Sequence, residues 1–170
     1  MNIGHNYTIG DIHRNNSQLV SGEGIGYSST GGCSGGGHGG GGGQGQSQPL
    51  SGKAHGSYAN PASFGYNGGH SLFPHAGGVG GGRLHIDVSD CFTIDGSVSA
   101  NGGDWRSPQA GGGSAGSVFI HTRTLDGAGV IEASGGNGYD GPSTSHGGGG
   151  SGGRVALYYK VNNYVGELMG

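Results

Sequence analysis

The chain has 170 residues, of which 47 are glycine; 30% are hydrophobic, 10% are charged, and the net charge is −3. So few apolar side chains exclude an ordinary side-chain core, and so few charges exclude a typical disordered chain, which is polar and highly charged. The seven Lys and Arg are scattered singly, which excludes a basic nucleic-acid surface, and no apolar run approaches the roughly 18 residues of a spanning helix.

From the start, MNIGHNYTIGDIHRN lacks the basic and apolar regions of a secretory signal, which leaves a fragment, a mature form or another export route. Asn6 and Asn15 head glycosylation sequons. Tyr7, Ile9 and Ile12 read as an early strand, and SQLVSGEGIGYSSTGG (17–32) resembles the later glycine returns, so 7–32 is a weak first repeat. Residues 33–82 are glycine-rich and irregular, with no apolar period and with Pro49, Pro61 and Pro74 as punctuation. Within GGCSGGGHGGGGG (31–43), ten of thirteen residues are glycine. Glycine loses the most freedom on ordering, and fixing a backbone costs about 1–2 kcal/mol per residue. Main-chain hydrogen bonds between closely approaching segments are the remaining means of holding such a run still.

Three later stretches align: GGRLHIDVSDCFTIDGSVSANGG, AGSVFIHTRTLDGAGVIEASGG and GGRVALYYKVNNYVGELMG. Each opens with an alternating strand whose inward residues are predicted as Leu84, Ile86 and Val88; Val118, Ile120 and Thr122; Val155, Leu157 and Tyr159. The spacing is 34 residues from Leu84 to Val118 and 37 from Val118 to Val155. Asp95-Gly96 and Asp126-Gly127 read as turns into second short strands, Val98 to Ala100 and Val130 to Ala133, before ANGG or ASGG. Repeats are therefore set at 83–117, 118–152 and 153–170 within a single domain, 1–170. No i, i+3, i+4 stripe marks a helix. The expected fold is all-β, without helices: a glycine-rich parallel β-solenoid or β-helix with polyglycine-II-like extended segments. The alternative is an irregular glycine loop packed on a sheet.

The blocks SGGGHGG, GSYANPASFGYNGG, DGSVSANGG and GGRVALYY resemble a glycine-rich repeat region found in large surface or secreted proteins of plants, protists and some bacteria. Gly41 to Gly43 stand where that pattern usually carries a second charged residue. The resemblance covers about residues 17–160 and implies extracellular, non-enzymatic structure.

Chemistry-bearing patterns are sparse. Of nine histidines, His70 and His75 are the nearest pair, while His85 and His121 fall on one non-core face and are expected to stack one coil apart. None has the convergent spacing of a metal site. GGNGYDG (135–141) matches the first six positions of a calcium-binding nonapeptide but carries Pro142 at its apolar position, and reads as a turn. No nucleophile elbow, carboxylate pair or phosphate loop is present, so no enzyme activity, metal or cofactor is expected. Cys33 and Cys91 can form one disulfide. Tyr58 and Trp105, among glycines, are partner-contact candidates, with glycans as one class of partner. The expected function is an extracellular or cell-surface structural subunit of a fibre, appendage or scaffold that self-associates through glycine packing. The alternative is a receptor-binding adhesin such as a phage tail-fibre tip.

Overall fold

The computed structural model describes Gly26 and residues 33–46, 49–70, 77–141 and 145–170. All regular elements among them are strands: β1 (Arg83–Thr93), β2 (Ser97–Ser99), β3 (Ser117–Asp126), β4 (Val130–Glu132), β5 (Arg154–Tyr158), β6 (Val161–Asn162) and β7 (Glu167–Met169). The weak repeat at 7–32 lies outside the described residues apart from Gly26.

Two parallel sheets face each other. One has the order β1-β3-β5, with β6 continuing beside β3; the other has the order β2-β4-β7. Leu84, Val118 and Val155 are Cα partners, as are Val98, Ile131 and Leu168. A parallel pair cannot be closed by a tight hairpin. β1 and β3 therefore each turn into a short strand of the second sheet, and the chain then travels through a glycine-rich segment before pairing again.

β1 carries one extra residue between Val88 and Cys91 relative to β3. Such a bulge bends the strand locally, and Thr122 Oγ1 donates to the displaced Asp90 carbonyl at 3.1 Å. At the turn after β3, Asp126 Oδ1 accepts the Gly127 N–H, and Gly127 takes φ 105°, a value a Cβ disfavours.

Between the sheets lie Leu84, Ile94, Val98, Ala100, Val118, Ile120, Leu125 and Ile131, all buried. Period-two alternation puts these inward and leaves Arg83, His85, Asp87, His121 and Arg123 outward. Tyr159 departs from the inward set expected of it. The strand ends at Tyr158, and Tyr159 is exposed. The C-terminal strands are thinly covered, with Val165, Leu168 and Met169 exposed.

Candidate functional site

Residues 110–116 run through the middle of the glycine-rich half, and their main-chain groups are used in rotation. Gly111 and Ser114 donate to Gly69 and Tyr66; Gly112 and Ala115 donate to Gly148 and Ser151; Gly113 and Gly116 donate to Gly103 and Ala100. Carbonyls of the same segment accept from Gly78 and Gly81, from Gly36, and from Gly136 and Tyr139. Residues three apart address the same neighbour. Donors and acceptors are thereby satisfied with almost no side chains, meeting the rule that buried backbone polar groups be paired.

Close approach is what demands glycine here. A Cβ on Gly112 or Gly113 would overlap the carbonyl of Gly136 or Val79. Among the described glycines only Gly56 and Gly127 have positive φ, so the lattice glycines are needed for their missing side chain rather than for a special conformation. The run that begins at Cys33 is two lattice segments joined by a bend. Gly35 donates to Gly43, Gly42 to Gly52 and Gly52 back to Gly35, a closed ring of three segments. At the bend a Cβ on Gly40 would meet nothing within 4 Å.

Over one face lies a strap, residues 55–64, fastened by every long strand. From β5, Arg154 Nε donates to the His55 carbonyl at 3.0 Å, and Tyr158 hydroxyl donates to that of Ala59 at 2.6 Å. Ser117 of β3 donates to the Ser63 carbonyl at 2.7 Å, and Arg83 of β1 to that of Ala62 at 3.2 Å. The Arg83 guanidinium also sits 5.9 Å from the Phe64 ring centre. Beneath the strap, His38 is fully buried, its Nδ1 2.8 Å from the Ala115 carbonyl and its backbone N–H donating to Ser151 Oγ. The His55 ring packs 4.7 Å from His38 and 4.6 Å from Tyr66. Burial lowers the His38 pKa below 6.5, and nearby His55 and Arg154 lower it further against the opposing hydrogen bond from Ala115.

On the lattice margin, where β2 and β4 run into glycine, an open groove of about 400 Å³ is lined by Ser99, Asn101, Asp104, Glu132 and Ser134 among glycines. Asn101 Oδ1 accepts the Ser134 N–H at 2.8 Å, and Asp104 Oδ1 accepts the Asn137 N–H at 2.7 Å. Both are side-chain rungs between the segment after β2 and the segment after β4. Next to Asp104, the Trp105 ring meets Tyr139 edge-on at 4.9 Å.

The structure separates several residues that the sequence suggests together. Cys33 is buried in the lattice with its N–H on Gln109, whereas Cys91 stands exposed on β1, and no disulfide joins them. His85 and His121 share a face but not a rung, because the register pairs His85 with Phe119 and Asp87 with His121. His85 therefore stacks on Phe119 at 4.6 Å, and His121 Nδ1 lies 3.3 Å from Asp87 Oδ1. Tyr58 is 82% exposed at the crest of the strap, and Trp105 is 41% exposed. Asp140, of the calcium-like motif, pairs with His146 at 3.2 Å. Asn6, Asn15, His5, His13 and His75 lie outside the described residues. Among the described residues no three His, Cys, Asp or Glu converge on a metal site, and no helix is long and apolar enough to cross a membrane. The strap and the His38 pocket escape sequence reading because their bonds are to strap carbonyls, which any residue supplies. Comparison with known proteins finds no matching family model, no matching curated protein and no matching solved structure.

Proposed function

We infer that the chain is a structural module, a glycine-rich parallel β-solenoid with polyglycine-II-like segments, serving as a subunit of an extracellular fibre, appendage or cell-surface scaffold. The observation that carries this reading is the mutual main-chain bonding around 110–116, which spends most of the sequence on rigidity and little on reactive side chains. Support for assembly comes from the last coil. Leu168 and Met169 of β7 are 59% and 47% exposed, and Val165 is 81% exposed, an apolar end of the kind a stacked array covers with a further coil. The coil that covers it belongs to a second copy or to more repeats of the same chain.

Size-exclusion chromatography and negative-stain imaging over a range of concentrations test the assembly. Rods or concentration-dependent oligomers are expected, and Leu168→Arg should shift them towards monomer. A compact monomer at every concentration overturns the reading. Antibody labelling of intact source cells tests the location, with surface label expected.

A further inference from the structure

We propose that the groove where β2 and β4 run into glycine is a binding site for a neutral oligosaccharide, a role that goes beyond assembly and does not depend on it. The groove is open, about 400 Å³, and polar, which suits a hydroxyl-rich ligand and not a lipid or a flat apolar molecule. Its functional groups are pre-ordered. In an extended segment with three residues per turn, Asn101 and Asp104 lie on one face, and each spends one oxygen on a coil-to-coil rung. Among the described residues, Asn101 Nδ2, Asp104 Oδ2 and both carboxylate oxygens of Glu132 make no hydrogen bond. An amide donor beside carboxylate acceptors, fixed on a rigid shelf, matches vicinal hydroxyls, which each donate and accept. Rigid groups also spare the ligand the cost of ordering them.

An aromatic pair adjoins Asp104 in the chain, just outside the residues that line the groove. Trp105 follows Asp104 directly, and its ring is propped edge-on by Tyr139. Trp105 remains 41% exposed, so ring surface is left for the C–H face of a sugar. The residues lining the groove include two carboxylates and no Lys or Arg, which disfavours an anionic glycan through like-charge repulsion.

Trp105 is the single tryptophan of the chain, so its fluorescence reports on this place alone. The test is a titration of the whole chain with cellohexaose, chitohexaose and, as the anionic comparison, a heparin hexasaccharide. A saturable change is expected with at least one neutral hexasaccharide and none with heparin. Glu132→Gln should weaken binding about tenfold with an unchanged melting temperature, because the Glu132 carboxylate makes no hydrogen bond or ion pair among the described residues. Calorimetry on Trp105→Phe should show a weaker but measurable heat. Silence with both neutral ligands, equal affinity in Glu132→Gln, or preference for heparin overturns the proposal.

Discussion

Residues 110–116 and β3 follow one another without a break, and both lie at the centre of the molecule, yet different parts of the chain hold them. In β3 the side chains of Val118, Ile120 and Leu125 fill the space between two sheets, and the main chain pairs on both edges. In 110–116 the side chains are nearly absent, and the main chain bonds outward in several directions, to 66–69, 78–81, 100–103, 136–139 and 148–151. A strand has two hydrogen-bonding edges; the main chain of 110–116 bonds to more neighbouring segments than two edges could serve. The lattice segment therefore packs against more chains, provided no Cβ intervenes. Removing atoms weakens the strand half, and adding them weakens the glycine half.

That contrast is broken most severely by Gly113→Ala. Its methyl would overlap the Val79 carbonyl, a backbone atom with no rotamer to change. We expect a loss of more than about 4 kcal/mol, read by urea unfolding or as failure to fold; near-normal stability would show that the lattice yields to a side chain. Next in size, Ile120→Ala should cost about 2–5 kcal/mol by the same measurement, the ordinary result of a cavity between sheets. Were it harmless, the sheets would not depend on their side-chain core.

Acidification sharpens the comparison at the junction of the two halves, where His38 is buried under the strap. Its folded pKa lies below the unfolded value of 6.5, so the unfolded chain takes up the proton first. The stability contribution is therefore fully present above 6.5 and is lost as pH falls from 6.5 towards the folded pKa. Protonation would set a charge beside the Arg154 guanidinium and the His55 ring. Melting temperature should drop between pH 7.5 and 5, with a smaller drop in His38→Gln; equal slopes would remove His38 from the explanation.

The smallest effect, and one of opposite sign, belongs to Gly40→Ala. Nothing stands within 4 Å of the added carbon and φ is not positive, so the substitution restricts only the unfolded chain. A gain of about 0.4–1 kcal/mol is expected. A loss like that at Gly113 would mean the bend is packed as tightly as the lattice.

Much of the strand half was legible in the sequence. Alternation marked Leu84, Ile120 and Leu157, the spacing placed Val118 opposite both Leu84 and Val155, and Asp-Gly pairs marked the turns. Its errors came near the C-terminus, where Tyr159 follows the pattern but lies beyond the end of β5. The segment 33–82 was legible only as glycine-rich. Its partners could not be read, because a glycine carries no side chain to betray its neighbour. For the same reason Cys33 and Cys91 looked like a pair in a list of two and are far apart in their surroundings.

By itself the amino-acid sequence determined the strands, their turns and the need for a main-chain-bonded glycine phase, since period-two alternation and the lack of side chains act locally. Tertiary structure alone decided which glycine segment meets which, where the strap is fastened, and that Asn101, Asp104 and Glu132 share one groove. Those outcomes depend on contacts between carbonyls and amides far apart in the chain, and every residue carries the same ones.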